Sequence, residues 1–295
     1  MKPFRHLSGV LAAWAVVAGT LLAQSQQVPS AEPLSVMSFN IRYGTANDGD
    51  NHWKLRREFL FDVVREAAPD LVGLQEALDG QVRELVAALP QYGVVGVGRD
   101  DGRTRGEYAA ILYRRDRFHV SDAGTFWFSD TPETVASRSW GNTITRICTW
   151  ARFIDRDGRA FWHYNVHLDH QSQPSRERSA SLLAERIAAR RVGTEPAIVT
   201  GDFNAGETNA AVTRLTVPQA GVPAPFVDSF RVRHPGETNV GTFTGFKLGA
   251  TTGDKIDYVL VQPGTDVLSA GIIRTSRNDR YPSDHFPVIA RIALR

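Results

Sequence analysis

The chain has 295 residues, of which 42% are hydrophobic and 22% are charged, and its formal net charge at pH 7 is +2. This composition is typical of a globular protein and excludes a disordered, collagen-like or coiled-coil chain. No repeat with a period of roughly 20–50 residues is visible, which argues against solenoid and propeller architectures.

The N-terminus has the pattern of a secretory signal peptide over residues 1–23. Lys2 and Arg5 precede an uncharged apolar run from Gly9 to Ala23. A run of about 15 residues is shorter than the roughly 20 that span a bilayer, and the alternative is an uncleaved anchor. Residues 24–33 are a polar linker and residues 34–295 the predicted domain. We therefore expect a secreted or periplasmic protein with no transmembrane segment after signal removal.

The positive charge lies in that N-terminal segment. Removing Lys2 and Arg5 from the 34 basic residues leaves 32, which equals the number of acidic residues. A neutral mature chain has no broad attraction for a polyanion such as nucleic acid. Cys148, the only cysteine, lies in an alternating strand pattern, so we expect a small buried residue and no internal disulfide.

Strand patterns and helix patterns interleave along the rest of the chain. The predicted strands are residues 34–43, 71–75, 108–113, 118–127, 147–154, 160–168, 197–200, 256–261, 272–275 and 286–292. The predicted helices are residues 53–68, 82–89 and 175–191, with a further short helix after residue 200. This order favours one α/β domain with mixed sheets.

Polar residues recur where the predicted strands meet loops, which is where functional groups are often placed. They are Asn40, Glu76, His167, Asp169, His170, Asp202, Asn204, Asp257, Asp284 and His285. Each alone could cap a helix or stabilise a turn, but all of them together favour a site. Carboxylates suit Mg²⁺ or Mn²⁺, and histidines transfer protons near neutral pH. The set indicates metal-assisted hydrolysis of a phosphate ester.

Seven segments occur in the order expected for one known family. They are MSFNIRYG, LVGLQEAL, GEYAAILYR, NVHLDHQS, VTGDFNA, DKIDYVLV and YPSDHFPV, and they cover roughly residues 34–292. The chain thereby resembles the endonuclease/exonuclease/phosphatase superfamily of DNase I-like phosphoesterases. The resemblance implies an α/β four-layer sandwich, in which two packed mixed β-sheets are flanked by helices, with the site at one edge. It also implies a Mg²⁺ or Mn²⁺ cofactor.

The resemblance further implies a role for each matching residue at the metal. Glu76 of LQE is the expected principal metal ligand. Asn40 of SFN helps at the metal or the phosphate, and Asp284 of SDH lies beside the metal.

The same resemblance implies the catalytic roles. Asp202 of GDFN positions or deprotonates the attacking water, and Asn204 holds a phosphate oxygen. His285 is the other acid or base, and Asp257 of IDY orients it. His167 of VHL contacts the phosphate. The sequence does not choose between Asp202 and His285 as the base.

Four further residues are weaker candidates for contact with the substrate: Glu107, which would orient His167, Arg138, Trp140 and His170. Arg42 stands where repair nucleases of the superfamily carry an acid, which disfavours a repair nuclease. We expect a secreted, monomeric phosphoesterase, with a phosphodiester favoured over a monoester. The alternatives are an extracellular DNase or RNase, for which nucleic acid is a possible but unfavoured partner, and an inactive binding module.

Overall fold

A computed structural model describes residues 1, 32–219 and 221–294 of the chain. The predicted signal peptide, apart from Met1, and the linker up to residue 31 lie outside the described residues. Within the described part, no helix is long and apolar enough to cross a membrane.

The described residues form strands and helices in an interleaved order. The strands are β1 (Leu34–Asn40), β2 (Leu71–Gln75), β3 (Tyr92–Val95), β4 (Ile111–Arg114), β5 (Phe118–Trp127), β6 (Ile147–Asp155), β7 (Ala160–His167), β8 (Ala197–Asp202), β9 (Val227–Asp228), β10 (Asp257–Val261), β11 (Asp266–Ile272) and β12 (Val288–Ala293). The α-helices are α1 (Trp53–Ala67), α2 (Asp79–Ala88), α3 (Gln173–Ala188), α4 (Ala210–Thr216) and α5 (Ser229–Arg233), with a 3₁₀ turn at Gly49–Asn51.

The strands form two six-stranded sheets. Sheet A has the order β11-β12-β1-β2-β4-β3, and sheet B has the order β5-β6-β7-β8-β10-β9. The pairs β1–β2 and β7–β8 are parallel, whereas the neighbouring pairs β1–β12 and β8–β10 are antiparallel. Both sheets are therefore mixed, as the sequence predicts.

Apolar side chains alternate along the strands and bury both faces of each sheet. Val36 of sheet A and Phe153 of sheet B belong to the core between the two sheets. Leu60 of α1 packs on the outer face of sheet A, and Leu183 of α3 packs on the outer face of sheet B. The result is helix, sheet, sheet, helix, which confirms the predicted four-layer sandwich.

A buried polar layer continues the inter-sheet core towards one edge of the sandwich. Asn165 Oδ1 accepts hydrogen bonds from Gln75 Nε2 of the other sheet, at 2.7 Å, and from Thr200 Oγ1, at 2.9 Å. Gly73 faces this layer closely, since an added Cβ there would lie 2.1 Å from Thr200 Oγ1. The two sheets are thus fixed to each other directly behind the ends of β1, β2, β7 and β8.

The differences from the sequence prediction lie mainly in edge strands. β3 and β9 are absent from the prediction, and β11 ends at Ile272, where the prediction begins a strand at 272–275. All three are edge strands, and β3 and β11 are partly exposed, so their apolar periodicity is weak. Cys148 is fully buried, as predicted.

Candidate active site

Strand register places three of the predicted catalytic residues side by side in sheet B. His167 at the end of β7 pairs with Asp202 at the end of the parallel strand β8. Asp257, the first residue of the antiparallel strand β10, pairs with Asp202 from the other side. The three side chains therefore meet at one edge of the sandwich.

Sheet A brings its own polar residues to the same edge. Asn40 pairs with Gln75 in the parallel β1–β2 ladder, and Glu76 follows with a left-handed backbone, at φ 60°. Asn40 Nδ2 donates to Glu76 Oε1 at 3.1 Å and to Asp202 Oδ2 at 2.9 Å. Glu76 Oε2 also accepts from the backbone N–H of Tyr43, at 3.2 Å, so this carboxylate faces the site instead of capping α2.

These residues surround a cavity of about 600 Å³. The predicted site residues that line it are Glu76, Glu107, His167, His170, Asp202, Asn204, Asp284 and His285. Asn40 and Asp257 are fully buried behind it and bond to residues of the lining. Most of the predicted set is thus gathered in one place.

Arg138 and Trp140 are not brought to this cavity. Arg138 Nη1 donates to the carbonyl oxygen of Thr143 at 2.6 Å, so its charge stabilises its own loop. The Trp140 indole donates to Asp130 Oδ1 at 2.8 Å, and its ring packs against the outer core of sheet B. The predicted contact of these two residues with a substrate therefore stays a prediction, and the structure places both outside the cavity lining.

His285 and Asp257 form a buried pair. His285 Nδ1 lies 2.9 Å from Asp257 Oδ2, and His285 Nε2 lies 3.8 Å from Asp202 Oδ2. Burial disfavours the imidazolium, but the charges of Asp257 and Asp202 outweigh it and hold the pKa of His285 well above its ordinary value. A protonated His285 with Nε2 turned to Asp202 can stabilise negative charge or donate a proton.

Asp202, at the end of β8 in sheet B, contacts Asn40 of sheet A and lies close to both His167 and His285. Its Oδ1 accepts from the backbone N–H of Asn204 at 2.8 Å, while Oδ2 accepts from Asn40. Burial, with the like charge of Asp257, raises the pKa of Asp202 to about 7. A carboxyl group that titrates near neutral pH can accept a proton from water and release it again.

His167 also lines the cavity. Its Nε2 lies 3.6 Å from Asp202 Oδ2, and its Nδ1 lies 3.7 Å from Glu107 Oε2. The Glu107 carboxylate is instead held by Arg99, through contacts of 2.6 and 2.8 Å, so it makes no hydrogen bond to His167. Burial, together with Arg146 and Arg99, lowers the pKa of His167 well below its ordinary value, which keeps it neutral.

Glu76 and Asp284 are the carboxylates suited to a divalent cation. Burial and the charge of Glu76 raise the pKa of Asp284. Arg42 Nη1 lies 4.0 Å from Glu76 Oε2 and Arg42 Nε 3.8 Å from Asp284 Oδ2, so both acids already share one cationic group. Oxygen donors in this arrangement fit Mg²⁺ or Mn²⁺.

The other predicted metal residue, Asn40, is oriented differently. Its Oδ1 accepts from the backbone N–H of Arg42 at 3.0 Å, and its Nδ2 faces Glu76 and Asp202. In this conformation Asn40 contacts the Glu76 and Asp202 carboxylates through Nδ2, and its predicted role at the metal stays a prediction. Asp202, Asp257 and His285 form a further group whose ligand atoms lie within 4.8 Å of one another. Because His285 and Asp257 bond to each other, we assign that group to proton handling.

Several lining residues lie outside the predicted set of site residues: Arg42, Arg99, Arg146, Phe243 and Phe246. One signal was available for Arg146, since it lies two residues before Cys148 and alternate strand residues share a face. A residue on the face of the buried Cys148 is expected to be buried, and Arg146 is 3% exposed.

The fold and this edge site define a DNase I-like α/β sandwich. A family model described as the endonuclease/exonuclease/phosphatase family matches residues 37–285, and the chain belongs to that family. An endonuclease/exonuclease/phosphatase from Bacteroides vulgatus is 34% identical, with a TM-score of 0.80, over 90% of this chain and 100% of that one.

Two further structures and one sequence extend the comparison. A mannosyl-6-phosphatase of Bacteroides thetaiotaomicron is 34% identical, with a TM-score of 0.77, over 88% of this chain and 99% of that one. The catalytic domain of human Nocturnin is 18% identical over 89% of this chain and 94% of that one, with a TM-score of 0.70, which shows the fold alone. An uncharacterized protein of Acanthamoeba polyphaga mimivirus is 27% identical over 162 residues, 43% of this chain but only 24% of that protein.

Proposed function

We propose that the protein is a divalent-metal-dependent phosphoesterase that hydrolyses an organic phosphate ester by in-line attack of an activated water. The observation that carries the proposal is that two pairs of side chains line one cavity. Asp202 and His285 supply a base and an acid, and Glu76 and Asp284 supply the carboxylates for a cation. Membership of the family supports the reaction class.

The chain's own residues account for the proton steps. Asp202, with a pKa of about 7, takes a proton from water on a carboxylate oxygen. His285 carries its proton on Nε2 beside Asp202 and stabilises the phosphoryl charge or protonates the leaving oxygen. Asn204 lines the cavity and is held by a 3.0 Å bond from Nδ2 to the carbonyl oxygen of Leu168.

A divalent cation would be held by Glu76 and Asp284. When bound, Mg²⁺ or Mn²⁺ supplies positive charge to the phosphoryl oxygens as a Lewis acid. Asn40 fixes Glu76 and Asp202 relative to each other, so the proposed metal ligand and the proposed base are coupled through one amide. The same amide joins the two sheets at the site.

The sequence favours a phosphodiester, and the comparisons add a second candidate. The relative from Bacteroides thetaiotaomicron is named a mannosyl-6-phosphatase, which supports a sugar phosphate monoester as the substrate of this chain. A nuclease is less favoured, because residues 24–295 carry equal numbers of basic and acidic groups and offer no broad attraction to a polyanion. We further propose that the protein is exported and acts as a monomer.

Three variants test the reaction and its residues. Glu76→Ala, Asp202→Ala and His285→Ala are each expected to lower kcat by at least about 10²-fold, because each removes a metal ligand or a proton-transfer group. The substrates are p-nitrophenyl phosphate, bis-p-nitrophenyl phosphate, mannose 6-phosphate, plasmid DNA and RNA. Each is assayed with Mg²⁺, with Mn²⁺ and with chelator.

The matched control is His119→Ala, which removes an exposed histidine of β5 and is expected to leave activity unchanged. Near-wild-type turnover by all three site variants would disprove the assignment. Activity that survives chelation would remove the metal from the proposal. Rapid cleavage of DNA or RNA with steep salt dependence would favour the nuclease alternative.

A further inference from the structure

Arg146 is a buried cationic residue on the wall of the catalytic cavity. It immediately precedes β6, lines the cavity and is 3% exposed. Its charge interacts with Glu107, Asp169 and Asp202, so it lies close to the proposed reaction centre. An arginine is rarely buried unless its donors are used.

Two side chains, Asp169 and His170, contact the Arg146 guanidinium, and the contact with Asp169 is long. Nε donates to Asp169 Oδ2 over a long 3.4 Å, and Nη2 lies 2.7 Å from His170 Nδ1. Burial and the nearby Arg146 charge lower the pKa of His170, so the neutral ring accepts from Nη2. Asp169 is occupied elsewhere, since its Oδ1 accepts from the backbone N–H groups of Gln171 and Ser172.

The third nitrogen, Nη1, is buried and has no hydrogen-bond partner among the described residues. Leaving a buried charged donor unpaired is costly, and a purely structural role for Arg146 does not explain it. Arg99, by contrast, is held by Glu107 through two contacts of 2.6 and 2.8 Å, so most of its charge is compensated. Arg99 Nε also has no hydrogen-bond partner in the described part of the chain, but Arg146 has only one carboxylate contact there, at 3.4 Å, so its charge is the less compensated of the two.

We propose that Arg146 selects phosphomonoesters, because its incompletely compensated guanidinium charge on the cavity wall favours the second phosphoryl charge that a diester lacks. The inference rests on the proposed phosphoesterase function and names its substrate class. A monoester carries close to two negative charges at neutral pH, about one more than a diester. A cation at Glu76 and Asp284 would offset part of that charge, and Arg146, which lines the same cavity, would offset more.

The test compares two substrates with the same leaving group, p-nitrophenyl phosphate and bis-p-nitrophenyl phosphate. Arg146→Gln is expected to lower kcat/KM for the monoester by about 10- to 100-fold, the range for a hydrogen bond to a charged group. The diester should lose less than about threefold, and Arg146→Lys should recover part of the monoester activity. Calorimetry with inorganic phosphate should show a matching loss of affinity in Arg146→Gln.

Arg152→Gln is the matched control, because Arg152 lies in β6 and pairs with Glu195 away from the cavity. Equal losses on both substrates, with unchanged phosphate affinity, would overturn the inference. A wild-type enzyme that cleaves only the diester would overturn it as well and leave the proposed function intact. A wild-type enzyme that cleaves none of the five substrates named for the proposed function, with either metal, would instead refute that function, and phosphate calorimetry would still decide whether Arg146 binds the anion.

Discussion

At the scale of single residues, the partner of each buried histidine decides its charge. His285 and His167 line the same cavity and are both almost fully buried. His285 bonds to Asp257, and its pKa is raised, whereas His167 lies near two arginines, and its pKa is lowered. Two groups of one type whose pKa values are driven apart can serve as acid and as neutral phosphate contact.

Replacing Asp257 by Asn tests this division. Without the carboxylate, burial dominates and the pKa of His285 is expected to fall, while that of His167 changes little. The measurement is an NMR titration of both imidazoles in the metal-free protein, with His167 as the internal control. The alkaline limb of the pH–rate profile should move to lower pH. An unchanged His285 titration would contradict the orienting role of Asp257.

The residues that sequence could predict are those that follow a strong local pattern. Glu76 and Asp202 each end an apolar strand, so their position at a strand end is visible without the fold. Arg42 follows no such pattern, because its contacts depend on neighbours that only the folded chain supplies, and for Arg146 the pattern indicates burial but not its place on the cavity wall. Arg42, for example, reaches Asp284 at 3.8 Å from a position 242 residues earlier in the chain.

At the scale of elements, the polar layer between the sheets supports the site from behind. His163 of β7 is fully buried, and its Nε2 lies 2.8 Å from Thr200 Oγ1 of β8. Burial lowers the pKa of His163 to about 3, so the folded protein holds it neutral. The unfolded chain binds a proton at this residue below about pH 6.5.

This difference makes stability fall in acid. Between about pH 6.5 and pH 3 the unfolded state binds the proton and the folded state does not, so acidification favours unfolding. From pH 7 to pH 5 the contribution of His163 to the free energy of unfolding is expected to fall by about 2 kcal/mol. Urea unfolding of wild type and His163→Gln at both pH values measures it. The variant should lose less stability on acidification, and equal losses would contradict the burial argument.

The elements best predicted from sequence are those with both faces buried. The central strands β1, β2, β7 and β8 are almost entirely buried, and their apolar runs are unmistakable. The edge strands β3 and β11 bury only part of their residues, and β9 has two residues. Three of the four edge strands therefore differ from the prediction, whereas the longer edge strand β5 matches it, and the candidate site lies at the ends of central strands.

At the scale of the whole molecule, basic and acidic residues balance in number, and opposite charges pair with near neighbours. Residues 24–295 carry 32 basic and 32 acidic residues, after Lys2 and Arg5 are removed from a total of 34. Many of the arginines in the cavity wall and loops are paired with acids, such as Arg99 with Glu107 and Arg42 with Asp48. This pairing supports the proposal that a substrate is recognised by a few donors in the cavity and not by a basic surface.

The proposed export gives a prediction for the full chain. Expressed in a bacterium with an intact secretion pathway, the protein recovered outside the cytoplasm should lack residues 1–23, because a short apolar run behind Lys2 and Arg5 is read as a cleavable signal. Mass determination of the N-terminus measures this. Val17→Arg places a charge in the apolar run and should leave the chain uncleaved in the cytoplasm, whereas Val17→Leu should be processed normally. Intact residues 1–23 in a membrane fraction would show an anchor instead, and equal export of Val17→Arg would contradict a signal of this kind.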